Sequence, residues 1–227
     1  LKKQSFKKSI IEECAELFYY DKFEEKLDMN ADLVCFENGI FDLELGIFRV
    51  GYPEDLVSFT TNIYYEEYND TDEEYIGVTT FLKEILPKDA VRKYVITLLS
   101  TFLSGHIKEQ KFHVWTGVGG NGKSKLIELF RLGFGDYCTT LPVSLITQKR
   151  GRAEGATPAL AGTKGKRFAC FQEPEGDEAI NVGLMKELTG GDTIMARNLY
   201  QTPFEFKPQF DLVLTCNILP EINASDR

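Results

Sequence analysis

The chain has 227 residues, 43% hydrophobic and 27% charged, which gives room for one large or two modest domains of an ordinary globular kind. Five scattered cysteines without a C-x-x-C pair argue against a zinc site or a disulfide framework and fit a reducing compartment; no apolar run approaches the roughly 18 residues of a membrane span, and no signal peptide is visible. The formal net charge of −9 is uneven: residues 1–110 carry 12 Lys+Arg against 22 Asp+Glu, and residues 111–227 carry 14 against 13, so the second part keeps the option of a nucleic-acid surface.

Lys2, Lys3, Lys7 and Lys8 lead into an amphipathic helix pattern, with Ile10, Ile11, Cys14, Ala15, Leu17 and Phe18 on one side and Glu12, Glu13 and Glu16 on the other. This stripe is expected to be core. Strands are predicted at 33–36 and 39–43, with a Glu44-Leu45-Gly46 turn into a hairpin partner at 47–50. Pro53-Glu54-Asp55 opens a further turn, and 56–60 reads as one more short strand. Six acids between Glu66 and Glu74 mark a linker or solvated face, so a small α+β domain is placed at 1–73. Two helices follow, one ending before Pro87 and one from Asp89 with Val91, Tyr94, Val95, Leu98, Leu99 and Phe102 at helical spacing. They form a helical collar over 74–110. His106 and His113 have no partner at metal-ligand spacing and are read as structural.

The next stretch organises the chain. Gly117-Val118-Gly119-Gly120-Asn121-Gly122-Lys123-Ser124 fits G-x-x-x-x-G-K-[ST], a phosphate-binding loop, between an apolar strand at 112–116 and a helix carrying Leu126, Ile127, Leu129 and Phe130. Chance alone gives this pattern in roughly one chain in a hundred of this length. Such a loop aims backbone N–H groups and the positive helix end at a polyphosphate. Lys123 would reach the β- and γ-phosphates of ATP, and the Ser124 hydroxyl would ligate Mg²⁺.

Beyond it, Lys149, Arg150, Arg152, Lys164, Lys166 and Arg167 face only Glu154, a local basic stretch that could hold a phosphate backbone or be a solvated loop. The run 167–171 reads as an apolar strand ending in Gln172-Glu173-Pro174-Glu175. An acid at that strand end can hold the Mg²⁺ shell and polarise an attacking water; Glu173 is the first choice, with Glu175 as helper. A short helix is predicted over 179–188, then strand, turn and strand over 193–206. Arg197, Asn198 and Tyr200 in that hairpin could grip phosphate and stack on a base. A last core strand, 210–216, closes on Asn217, whose amide could orient water or touch the γ-phosphate. Cys170 and Cys216 lie in apolar runs and are expected to be buried.

The P-loop, the E-P-E strand end, L-T-G-G-D-x-I-x-A-R, F-x-P and a strand closing on T-C-N-x-x-P occur in this order. Together they resemble the superfamily 3 helicases of the AAA+ class, and more closely the primase–helicases of large DNA viruses (poxvirus-type) and of phages and plasmids. The segment 36–43 with Pro53-Glu54-Asp55 is similar to the domain preceding the helicase in those proteins. The resemblance implies an α/β fold, with an AAA+ P-loop ATPase core at 111–227 built on a parallel-rich sheet. It also implies a ring, usually a hexamer, that moves along single-stranded or forked DNA by hydrolysing ATP between subunits. Within it, Gly117, Gly122, Lys123 and Ser124 are the nucleotide loop, Glu173 the acidic motif and Asn217 the sensor. Arg197 to Tyr200 fall in the region that carries DNA contacts in relatives. The family's trans-acting arginine usually lies shortly after the positions matched by Asn217, Pro220 and Asp226, and the chain is expected to be a piece of a longer polypeptide joined to a primase.

The expected function is therefore an ATP-dependent DNA helicase motor in replication, with primase or other replication proteins as partners, no membrane, and a cytoplasmic setting in an infected host cell. Two alternatives share the loop: a nucleotide-gated assembly or loading module that does not unwind, and a small-molecule kinase, for which no paired arginines occupy the place of a lid.

Overall fold

The computed structural model describes residues 3–147, 155–171 and 179–222. Its first third holds α1 (Gln4–Leu17), α2 (Phe23–Lys26) and an antiparallel meander of β1 (Leu33–Phe36), β2 (Gly39–Asp42) and β3 (Ile47–Arg49). Leu33 and Ile40 are buried on one face of the meander and Val34 on the other, where Phe36, Phe41 and Phe48 form a ring cluster with Tyr65, Phe48 stacked on Tyr65 at 4.4 Å. Arg49 ties the meander to its turn by a fork onto both oxygens of Asp55, at 2.8 and 2.9 Å. That guanidinium holds the Asp55 carboxyl below the ordinary carboxylate range.

Two sequence expectations fail here. The apolar stripe of α1 is not core: every described residue of the helix is exposed, Ile11 at 68% and Leu17 at 69%. Helical periodicity marks a face able to be buried without saying what covers it. The segment 56–60 is not a strand. Leu56 takes φ 50, and the N–H groups that a ladder would use are spent on carboxylates: Ser58 and Phe59 donate to Asp28 Oδ1, and Thr60 to Asp136 Oδ2.

The helices α3 (Glu73–Ile85) and α4 (Asp89–Thr101) follow as expected. The remainder is a four-stranded, wholly parallel sheet of β4 (Phe112–Thr116), β5 (Cys138–Leu141), β6 (Phe168–Phe171) and β9 (Asp211–Cys216), in the order β4-β9-β6-β5. Strand β5, which the sequence did not disclose, is four residues long. The helices of this part are α5 (Lys123–Phe134), α6 (Ser144–Thr147), α7 (Pro158–Ala161) and α8 (Val182–Thr189), and a hairpin of β7 (Ile194–Ala196) and β8 (Phe204–Phe206) precedes β9. The protein is thus mixed α/β around a parallel sheet.

Both sheet faces are covered, as a parallel sheet requires. Because side chains alternate along a strand, Leu212 and Leu214 of β9 with Ala169 and Phe171 of β6 join one core with α8 and the β7–β8 hairpin. Val213, Phe168 and Cys170 point the other way, into a second core with Leu99 and Phe102 of the collar side and Leu126 and Ile127 of α5. Cys170 and Cys216 are both buried.

Candidate functional site

The parallel ladders put the carboxyl ends of β4, β9 and β6 on one edge, where Thr116 pairs with Cys216 and Phe171 with Leu214. The glycine loop and Asn217 follow β4 and β9 at that edge, and β6 ends there at Phe171. This is the edge at which open α/β sheets bind ligands. The loop passes into α5 through Gly122, which caps the helix at φ 85, a left-handed conformation that a side chain resists. A Cβ there would also meet Ile85. At Gly119 and Gly120, by contrast, a Cβ would meet nothing within 4 Å, so the loop's outer side is bare backbone open to an incoming group.

Lys123 opens α5 and folds back over the loop. Its Nζ donates to Gly117 O at 2.6 Å, to Asn121 Oδ1 at 3.1 Å and to Asn217 Oδ1 at 3.2 Å. The last contact joins positions 94 residues apart. It exists because β4 and β9 are direct neighbours, with the Thr116 hydroxyl also donating to Asn217 O at 3.5 Å. Ser124, in the first turn of α5, is exposed. A cation and two amide side chains thus converge on the glycine backbone at the N-terminus of α5, whose first turn carries Ser124. The donor set suits an oxyanion-rich ligand such as a triphosphate with its divalent metal.

Glu173 and Glu175 lie outside the described residues. So do Lys149, Arg150, Arg152, Asp226 and Arg227. In the described half of the basic stretch, which the sequence left open between a phosphate surface and a solvated loop, the cations are engaged within the chain. Lys164 donates to Glu24 O, and Lys166 to Asp136 O at 2.5 Å with its ammonium 4.0 Å from the Phe59 ring centre. Arg167 is 1% exposed, and burial pulls its pKa down. It donates to Gln209 Oε1, to Asn30 O at 2.7 Å and to Leu33 O at 3.4 Å. All three cations tie the first third of the chain to the amino-terminal edge of the sheet. Sequence patterning could not separate them from solvated charges, because their partners are mostly backbone carbonyls over a hundred residues away.

Arg197, Asn198 and Tyr200 lie on the β7–β8 hairpin. Arg197 is held at the base, its N–H on Thr157 Oγ1 and its carbonyl accepting from Thr157 N. Asn198 Nδ2 closes the turn onto Gln201 Oε1 at 3.0 Å. Tyr200 projects fully exposed at φ 62, beside exposed Leu199. A groove of about 1440 Å³ lies between this hairpin and the first third, lined by Glu24, Asp28, Lys164, Met195, Asn198 and Phe204 among others, and it does not include the glycine loop. His113 is half-buried against Phe102, which lowers its pKa by desolvation, and His106 pairs with Asp32 at 2.9 Å. Among the described residues no cluster of three or more His, Cys, Asp or Glu could hold a metal. No described helix is long and apolar enough to cross a membrane.

Residues 1–87 match the family described as D5 N terminal like, and residues 115–227 match a family of unknown function (DUF5906). The chain is 48% identical over 226 residues to the protein named "Putative helicase L207/L206" of Acanthamoeba polyphaga mimivirus, covering 100% of this chain and 24% of that one. It is 34% identical to "Putative helicase 121R" of Invertebrate iridescent virus 3, over 93% of this chain and 23% of the relative. It is 29% identical to "Putative primase C962R" of African swine fever virus (isolate Tick/Malawi/Lil 20-1/1983), over 98% and 23%. The chain therefore spans about a quarter of the length of these curated relatives. In fold it is similar to the apo C-terminal region of NrS-1, with a TM-score of 0.50, 17% identity and coverage of 66% of this chain and 35% of that one. The chain thus carries a D5-type match over residues 1–87 and is similar, along nearly its whole length, to segments of proteins of large DNA viruses named putative helicase or putative primase.

Proposed function

We propose that this chain is the ATP-hydrolysing motor segment of a viral replicative DNA helicase, of the superfamily 3 AAA+ kind and joined to a primase in the whole protein. The observation that carries the proposal is the contact of Lys123 Nζ with Asn217 Oδ1 across the β4–β9 pair, at the carboxyl edge of a parallel sheet. A glycine turn with an incidental lysine has no reason to meet a distant strand-end amide. A nucleotide loop does, because both groups must face the same γ-phosphate.

In this reading the backbone of Gly117, Val118, Gly119, Gly120, Asn121 and Gly122 wraps the phosphates of ATP, and Lys123 exchanges its carbonyl and amide partners for phosphate oxygens. Ser124 and Glu173 would hold Mg²⁺, which when bound neutralises charge on the β- and γ-oxygens. Glu173 also orients the attacking water, and Asn217 reports the γ-phosphate to β9. Copies of the chain assemble as a hexameric ring, with ATP hydrolysed between neighbouring subunits. DNA is contacted through the hairpin of Arg197, Asn198 and Tyr200, whose exposed ring is suited to stacking. Work on DNA during viral replication places the protein in the infected cell's replication compartment.

Steady-state ATP hydrolysis with and without single-stranded DNA, on protein extended beyond Arg227, tests this. Several-fold stimulation by DNA that is lost in Lys123→Ala is expected. ATP binding with no response to DNA would favour a nucleotide-gated loading module, and transfer of phosphate to a small acceptor would favour a kinase.

A further inference from the structure

The glycine loop meets the collar at Gly122. Ile85, the last residue of α3, fills the space that a side chain at position 122 would need. A Cβ on Gly122 would lie 2.6 Å from Ile85 Cγ2 and 2.9 Å from Ile85 Cβ. The corner that carries Ile85 is itself clamped. Arg92 of α4, whose side chain is 16% exposed, donates to Leu86 O at 2.9 Å and pairs with Asp89, so one guanidinium closes the carbonyl end of α3 and the start of α4. Leu82 and Ile85 of α3, with Val95 and Leu98 of α4, pack on the core that holds Leu126 and Ile127 of α5. The corner thus bears on the loop's last glycine and on the buried face of the helix that Lys123 begins.

We propose that Ile85 is a positioning residue for the nucleotide loop, and that α3 couples the occupancy of that loop to the acidic segment at its far end. The proposal rests on the nucleotide-loop reading above. Close packing makes the contact a two-way constraint. The loop cannot shift at Gly122 without moving the end of α3, and α3, 13 residues long, would carry such a shift about 20 Å to Glu73 and Glu74. Coupling of this kind is reciprocal: if the corner sets nucleotide affinity, nucleotide must in turn stiffen the corner.

The test uses the intact protein and MgATP. Ile85→Ala is expected to weaken MgATP binding about tenfold, raising KM and leaving kcat at saturation unchanged, while Ile85→Val, which keeps the Cγ2 contact, stays within about twofold of wild type. Hydrogen exchange supplies a readout that a merely structural residue would not move. MgATP should slow exchange of the amides of residues 82–86 in wild type and leave them unchanged in Ile85→Ala. Wild-type MgATP affinity in Ile85→Ala, or exchange at 82–86 that ignores nucleotide in the wild type, overturns the coupling. The exchange experiment and Ile85→Val decide the matter even if Ile85→Ala folds poorly. Lys123→Ala, run alongside, separates the two failures: if it binds MgATP as tightly as wild type, the nucleotide-loop reading falls and the coupling with it.

Discussion

The two edges of the parallel sheet are built on opposite principles. At the amino-terminal edge Arg167 is buried among Gln209, the carbonyls of Asn30 and Leu33, and the ring of Tyr137, whose hydroxyl accepts from Cys35 N. A Cβ on Gly105 would collide with that guanidinium, so the chain there has no slack. At the carboxyl edge the polar groups are exposed, the glycines are open on their outer side, and Lys123 is held by groups it can leave. One edge is sealed and polar inside, and the other is polar and open. A buried charge ringed by fixed acceptors serves cohesion, and a clustered exposed one is available for exchange with a ligand.

That contrast breaks most visibly at Arg167. Arg167→Ala should cost about 3–5 kcal/mol, from a cavity plus carbonyls left without donors, and lower Tm by about 10 °C in a thermal scan. Arg167→Lys should not rescue it, since an ammonium cannot span acceptors on separate segments as the planar fork does. An unchanged Tm would mean that the sealed edge is not what holds the first third in place. At the open edge the expected pattern is reversed. Asn217→Ala should leave Tm within experimental error and slow ATP turnover by about 10²-fold, the usual loss for one aimed polar group in a reacting site. A fall in Tm with normal turnover would assign Asn217 to structure instead.

The open edge was far more legible in the sequence than the sealed one, for a physical reason. The glycine loop is contiguous, so its glycines, Lys123 and Ser124 stand side by side, and the strand before it and helix after it show their own periodicities. Its partner Asn217 could be named because a strand ends there. Arg167 was grouped with Lys164 and Lys166 as surface charge, because nothing in its neighbours signals that Asn30, Leu33 and Gln209 will enclose it. Ile85 is one more apolar position on an amphipathic helix until the fold sets it against Gly122. Strand β5 hid in four residues between Gly135 and Pro142, too short for alternation to register. The α1 stripe was visible but its burial was not, since amphipathicity is a property of a helix and burial a property of a pair.

Asp211 sharpens the comparison through pH. It begins β9 at the sealed edge, and burial, with a smaller contribution from Glu109, raises its pKa from the ordinary 3.8 to about 6. A raised folded pKa means that the native state holds the proton more tightly than the unfolded chain. The favourable contribution is present at low pH and is lost as pH rises through about 4 to 6. At neutral pH the cost is up to about 3 kcal/mol. Asp211→Asn should therefore raise Tm at pH 7.5, have little effect near pH 4, and flatten stability between those values. A pH profile identical to wild type would show the carboxyl to be solvated after all.

The smallest expected change in stability falls on Tyr200. A residue with a Cβ at φ 62 bears a local backbone cost that glycine would not, yet the side chain is fully exposed among the described residues. Such an outlier points to a role outside the hairpin's own packing. Tyr200→Gly should leave Tm unchanged or slightly higher, since it relieves the left-handed backbone and removes only an exposed side chain. Tyr200→Ala and Tyr200→Gly should both weaken single-stranded DNA binding, measured by anisotropy of a labelled oligonucleotide, by the about 1–3 kcal/mol of one stacked base, while Tyr200→Phe keeps most of it. ATP binding should be untouched in all three, because the ring lies on the hairpin and not on the glycine loop. If Tyr200→Gly binds DNA like wild type, the hairpin tip is only a turn, and the open character of the molecule is confined to the carboxyl edge of the sheet.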